Sequence, residues 1–347
     1  MPQDPGPEFG AAGARLDLPP PDGAYLDLPE SFGRRVVVFV DTEEEFDWTK
    51  PHSRDARSTG AAESLPLIHR RLRGYGVSPV YLIDHPIASD PRCVATLREF
   101  QELGECTVGT QLHPWVNPPF EEEVNPTNSF PGNLPRVLER AKLERLTEVI
   151  ESGVGRRPTI YRAGRYGVGP HTAALLVDLG YQVDVSVRST FDYRADGGPD
   201  FSRIRPLPYR VGGRDLVEIP LTAGFVGAAR RHGHGLFRAA GRVARLRGLL
   251  ARSRLLGRVA LTPEGMPLAD TRELVDRLVD DDLRLFSISF HSPTVEPGNT
   301  PYVRNMRDLD LFYAWWDGMF DHFARRGIVP ASIEQCLDAI GTARSLP

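Results

Sequence analysis

The run Arg34-Arg35-Val36-Val37-Val38-Phe39-Val40-Asp41 constrains the fold more than any other part of this chain. Five consecutive residues in it have no polar side chain and the run ends on a carboxylate, so it reads as a strand buried on both faces, the habit of parallel sheets covered by helices. The same texture recurs at 77–83, 106–113, 159–163, 181–187, 216–221, 258–262 and 283–291. Helical patterns separate most of these runs: 63–75, 91–103, 134–151 after an Asn133 cap, 170–179, 271–281 after an Asp270 cap, 308–326, and a last one from Ser332. Strand and helix alternating about seven or eight times predict an α/β fold, a (β/α) barrel rather than an open doubly wound sheet. No GxGxxG follows the first strand, so the dinucleotide-binding reading lacks its fingerprint.

Residues 1–33 are rich in Pro, Gly, Ala and Asp and read as a disordered or surface-lying tail. Residues 34–347 read as one barrel domain. Within it, 228–258 differs: every charged residue is Arg, and apolar residues recur at helical spacing. This predicts a basic amphipathic helix, either packed on the barrel with a solvated face or contacting an anionic partner. Nucleic acid is not expected, since no aromatic platform accompanies the arginines and the net charge of −4 attracts no polyanion globally. No apolar run approaches the roughly 18 residues of a membrane span, and no export signal is legible at the start, which gives a cytoplasmic expectation. Cys93, Cys106 and Cys336 are odd in number and in no CxxC spacing, so they are expected as reduced structural thiols.

In such a barrel, chemistry sits at the C-terminal ends of the strands. Reading off those ends gives Asp41 with Glu43, then Asp84 and His85, Gln111 and His113, Arg162 with Arg165 and Tyr166, Asp184, Glu218, and His291. Strands this apolar ending so regularly in titratable groups predict a polar cup above a dry core. Asp41 and Glu43 share that cup, and two close carboxylates need a cation, either a divalent metal or an arginine. Glu44 and Glu45 read as a solvated acidic loop. Trp115, Tyr166 and Trp48 follow strand ends, where an aromatic face can stack on a sugar ring. Trp315 and Trp316 lie in an amphipathic helix and are expected in the core.

Five segments, VFVDTEEEFDW, VGTQLHPWVNPP, YRAGRYGVGP, YQVDVSV and SISFHSPTVEPGNTPYV, in this order, resemble the polysaccharide deacetylase family of NodB homology, carbohydrate esterase family four, and in particular its WalW-like branch. The resemblance covers roughly 34–340. It implies a distorted, TIM-like (β/α) barrel of about seven strands and a hydrolase of carbon–nitrogen (amide) bonds that removes an acetyl group from an N-acetylated sugar or glycan precursor with one divalent metal, zinc being the expected ion.

Carried over residue by residue, the resemblance makes Asp41 the general base, Arg162 the arginine that orients it, Asp184 the acidic residue of the fourth motif and His291 the acid that protonates the leaving group. Glu43 and His113 become metal ligands, with Gln111 on the same strand face able to offer a carbonyl oxygen. Trp115, Arg165 and Tyr166 fall to substrate binding. The departure is Gly109, which stands where the family has the first histidine of its metal motif; His85 is a conceivable replacement. That departure keeps open a noncatalytic carbohydrate-binding or regulatory protein, and the fold alone also permits a hydrolase of a non-sugar linear amide.

Overall fold

The computed structural model describes residues 15–212, 215–243 and 245–346. Thirteen strands are found there: β1 Leu26–Asp27, β2 Arg34–Thr42, β3 Val80–Ile83, β4 Thr107–Leu112, β5 Ile160–Ala163, β6 Val183–Asp184, β7 Tyr209–Arg210, β8 Val217–Glu218, β9 Ala223–Val226, β10 Gly257–Ala260, β11 Leu285–His291, β12 Ile328–Pro330 and β13 Arg344–Ser345. Seven strands run in parallel in the order β11-β2-β3-β4-β5-β6-β8, with β7 antiparallel on the β8 edge and β12 sharing one side of β2 with β3. The sheet curls into a distorted TIM-like α/β barrel, as the alternation of strands and helices predicts. Past β8 the chain meets β11: Thr222 N donates to Ser287 Oγ at 2.9 Å, Ser287 N to Thr222 Oγ1 at 2.9 Å, and Ser287 Oγ to Pro220 O at 2.7 Å.

Alternation along the strands sorts two apolar layers. Val37, Phe39, Val80, Leu82, Ile160, Val183, Val217 and Leu285 form the inner one, with Ile333, Cys336 and Ile340 of the helix Ile333–Thr342 packed on it. Val36, Val38, Val40, Tyr81, Ile83 and Ile288 face the surrounding helices, including Met306–Arg325, whose Trp316 is fully buried and Trp315 nearly so. The three cysteines are free and buried.

Of the N-terminal tail, residues 1–14 lie outside the described residues. Residues 15–33 are docked: Leu16, Tyr25, Leu26 and Leu28 are buried, and β1 pairs with β13. Burying each such side chain stabilises by about 1.5–3 kcal/mol, and hydrogen bonds such as Leu26 N to Pro208 O add to the hold.

Several sequence expectations are corrected. The run 258–262 does not join the barrel; β10 pairs antiparallel with β9 in a separate ribbon. The arginine-rich segment is two short helices, Gly233–Ala240 and Leu246–Arg252, because the chain breaks at Gly241 and Arg245 takes a left-handed φ of 66°. The helix expected after an Asn133 cap is Arg136–Val154, entered through Pro135, and Asn133 instead ties two loops by donating to Thr127 O and Gly197 O. The helix expected after Asp270 starts earlier, at Leu268, again behind a proline, Pro267.

Candidate active site

Parallel register carries the site. His291 of β11 stands opposite Asp41 of β2, and Gln111 of β4 opposite Arg162 of β5, all on the inner face one to two layers above the apolar plug. A cavity of about 340 Å³ opens there, lined among others by Asp41, Glu43, Gln111, His113, Arg162 and His291.

Asp41 and Arg162 are both buried and form a direct ion pair through Arg162 Nη1. Arg162 is fixed further by donating Nε–H to Val185 O at 3.1 Å and Nη1–H to Ser289 Oγ at 2.6 Å. His291 Nε2 lies 3.7 Å from Asp41 Oδ2. Its other nitrogen, Nδ1, is 2.7 Å from Glu264 Oε2, and its backbone N–H donates to Glu264 Oε1 at 3.0 Å. Burial opposes charge on His291, but Glu264 and then Glu43 and Asp41 outweigh it and push its pKa up to about 10. The ring is therefore an imidazolium at neutral pH, with a proton aimed at the cavity.

His113 is tuned the opposite way. Burial depresses its pKa to about 4 against the pull of Asp84 and Asp41, so it is neutral. Nδ1 is 2.8 Å from Glu44 Oε2, which selects the tautomer with the proton on Nδ1 and leaves the Nε2 lone pair 3.5 Å from Glu43 Oε2. Gln111 Nε2 is 3.3 Å from the same Glu43 oxygen. Glu43 Oε1 and Gln111 Oε1 are buried without a hydrogen-bond partner, and burial raises Glu43 to about 8. Lone pairs converging on unsatisfied buried oxygens are what a divalent cation relieves, so Glu43, His113 Nε2 and Gln111 fit one.

A second convergence lies behind the imidazole: Glu44, Asp84 and His113 offer ligand atoms all within 4.8 Å of one another. There Glu44 N donates to Asp84 Oδ2 at 2.7 Å, Trp115 Nε1 donates to Glu44 Oε1 at 2.8 Å, and Asp84 also caps the helix His85–Ser89. Burial raises Asp84 well above, and Glu44 to about 8, so the hydrogen-bonded carboxyl pair retains a proton. Neither residue lines the cavity, and their hydrogen bonds orient His113 from behind.

Several expected site residues are placed differently. Asp184 faces away: it is in register with Tyr161 and Glu218 on the helix-facing side of the sheet and hydrogen-bonds Ser186 Oγ at 2.6 Å, because odd positions of β6, not even ones, point inward. Glu44 is fully buried, not solvated. Trp115 lines the cavity as expected but is 2% exposed, with His113 and His52 stacked on it at 4.4 and 4.1 Å, so no ring face is open for a sugar to stack on. Arg165 and Tyr166 do line the cavity, both in left-handed conformation, with Arg165 held by Ser129 Oγ at 2.5 Å and over the Phe130 ring. His85 is outside the cavity, near Ser89. Gly109 lies a layer below Gln111, where a Cβ would come within 2.8 Å of Leu82 Cδ2 and 2.9 Å of Ile160 O; no side chain fits. Gly164 is needed for the same kind of reason, a Cβ there meeting His113 Cδ2 at 2.4 Å.

Glu264 was missed by the sequence reading. The signal was present: it follows the 258–262 run, so the strand-end rule that found the other residues applies to it as well. Trp48 and Tyr302 make the accessible aromatic rim, 36% and 38% exposed, with Trp48 packed edge-on to His291 at 5.0 Å.

No family model matches the sequence, and no curated protein matches it. Among solved structures the chain is similar to a provisionally named polysaccharide deacetylase from Mycobacterium smegmatis, at 17% identity over 93% of this chain and 97% of that one, with a TM-score of 0.51. It is also similar to 4-alpha-glucanotransferase from Thermococcus litoralis, at 12% identity over 88% of this chain and 40% of that one, with a TM-score of 0.50. A family 4 carbohydrate esterase from Streptomyces lividans, solved with acetate, is matched at 13% identity over 90% and 97% of the two chains, with a TM-score of 0.39. At such identities the likeness to the first two, which include a polysaccharide deacetylase, is one of fold. No described helix is long and apolar enough to cross a membrane.

Proposed function

We propose that this protein is a metal-dependent hydrolase of the polysaccharide deacetylase type, of the WalW-like branch, that removes the acetyl group from an N-acetylated sugar or glycan precursor. The single observation that carries this reading is the pairing of a buried carboxylate, Asp41, with an imidazolium, His291, 3.7 Å away across one cavity that His113 also lines and that holds the unpartnered buried oxygens of Glu43 and Gln111.

The roles follow from what each group can do. Glu43 and His113, with Gln111, would hold one divalent ion, for which zinc suits the imidazole and carboxylate donors. Such an ion, when bound, polarises the amide carbonyl and lowers the pKa of water. Asp41, paired with Arg162, takes a proton from the water that adds to the carbonyl carbon. As the C–N bond breaks, His291 gives its Nε2 proton to the departing amine, leaving acetate and a free amino sugar. Glu264 is a positioning residue: its two oxygens fix the ring and sustain its charge. Trp48 and Tyr302 offer apolar faces to a pyranose ring at the rim.

Release of acetate from N-acetylglucosamine oligomers by the zinc- or cobalt-loaded protein, and its loss in Asp41→Asn, tests this reading. The filled space at Gly109 favours a second one, a carbohydrate-binding protein without catalysis. A protein that binds such oligomers and no divalent ion at micromolar concentration would be that protein.

A further inference from the structure

The loop 188–196 has a cavity on each side. Arg188, Tyr193 and Asp196 line the catalytic one, while Thr190, Asp192 and Ala195 line a larger one of about 590 Å³. Four arginines converge on the second cavity, Arg203, Arg238, Arg247 and Arg258, together with His234. They come from the loop before β7, from the two short helices and from β10.

The charge there is not balanced from within. Among the described residues Asp192 is the one carboxylate of the lining, and it is paired with Arg194 at 2.7 Å. Residues 228–258 contain nine arginines and no acid. Two of the guanidiniums, those of Arg247 and Arg258, are held instead by rings and carbonyls. Arg247 donates Nε–H to Phe237 O at 2.9 Å and lies 4.3 Å over the Phe237 ring. Arg258 donates Nη1–H to Thr190 O at 3.1 Å and lies 3.7 Å over Phe191 and 4.8 Å over Phe237. Stacking of this kind fixes the plane of a guanidinium and leaves most of its five donors open. Phe191 also carries Arg188, 4.0 Å over its ring, so one aromatic side chain joins the cationic walls of both cavities.

A concave site of this volume suits a small molecule, and four converging guanidiniums, two of them fixed by stacking, suit the tetrahedral oxygens of phosphate, which guanidiniums bind in bidentate fashion. We propose that the second cavity is a phosphate subsite and that the substrate is an amino sugar joined to a phosphate or diphosphate. The sugar occupies the catalytic cavity and the phosphate reaches across one loop to the arginines. This rests on the deacetylase reading and narrows its substrate class.

Inorganic pyrophosphate and UDP, titrated calorimetrically against the wild type and the double variant Arg238→Gln, Arg247→Gln, test the proposal without any catalytic readout. Both side chains are exposed, and the melting curve checks that the variant folds. Saturable binding by the wild type, weakened at least tenfold in the variant and by added salt, is expected. No saturable binding by the wild type at millimolar ligand, or equal binding by the variant, would overturn it. Failure here with acetate still released from unphosphorylated oligomers removes the phosphate subsite and leaves the deacetylase reading standing. Cosedimentation with phosphatidylglycerol vesicles, lost in the same variant, assigns the phosphate to a lipid headgroup; UDP binding without cosedimentation assigns it to a soluble nucleotide.

Discussion

His291 and Glu264 form a two-point contact, Nδ1 to Oε2 at 2.7 Å and backbone N–H to Oε1 at 3.0 Å, that holds the ring facing Asp41. Thr294 Oγ1 donates to the same carboxylate, which is nearly inaccessible to solvent. Removing the charge while keeping the shape should lower the His291 pKa from about 10 by a unit or more. Titration of the ring by NMR in Glu264→Gln measures this directly, and an unchanged midpoint would show that Glu264 does not sustain the imidazolium.

Gly109 gives a prediction about stability. Even one added carbon meets Leu82 and the Ile160 carbonyl, so Gly109→Ala should cost about 1–3 kcal/mol, as overpacked core sites do. Gly109→His should be worse and should not restore a metal ligand. Urea denaturation measures the loss; wild-type stability in Gly109→His would mean that the strands spread there easily.

Much of the site was legible in the sequence because a parallel barrel exposes its strand ends on one side. Asp41, Glu43, Gln111, His113, Arg162 and His291 all line the cavity, and each was visible as a polar end on an apolar run. What the sequence could not supply was strand phase where pairing is short. β6 keeps two residues of the seven expected, and a one-residue difference in where the inward positions fall sends Asp184 to the outer face. Glu44 was misread because nothing local distinguishes it from Glu45; its burial depends on His113 and Trp115, which arrive from β4. Glu264 follows 258–262 as the other site residues follow their strands, but that run forms a ribbon with β9 and not a barrel strand, and it is the ribbon that delivers Glu264 beside His291.

Away from the site, Glu139 offers a pH test. Burial raises its pKa from 4.5 to about 7, with Thr172 Oγ1 donating to Oε1 at 2.5 Å as partial compensation. The folded state thus holds this proton more tightly than the unfolded chain does. Its contribution is fully present below about pH 4.5 and is lost as pH rises through 7. Relative to wild type, Glu139→Gln should therefore gain stability on going from pH 5 to pH 8, on the order of 2–3 kcal/mol. Thermal melts of both proteins across that range check the sign; a constant difference would contradict it.

Trp48 stands at the mouth of the cavity, stacked on Phe46 at 5.0 Å, packed against His291 and Tyr302, and 36% exposed. Trp48→Ala should raise KM for N-acetylglucosamine oligomers about five- to tenfold, the loss of one stacking contact worth about 1–1.5 kcal/mol, with a smaller change in kcat. Steady-state kinetics separate the two constants, and an unaltered KM would remove Trp48 from the sugar site.

The central claim is that Asp41 and His291 act as base and acid on one amide. Acetate release from N-acetylglucosamine oligomers by the zinc-loaded wild type, Asp41→Asn and His291→Ala tests it most directly. Turnover by the wild type, falling at least a hundredfold in each variant while metal content is retained, is the predicted result. Undiminished turnover in either variant, or none in a wild type shown to hold the ion, would contradict it.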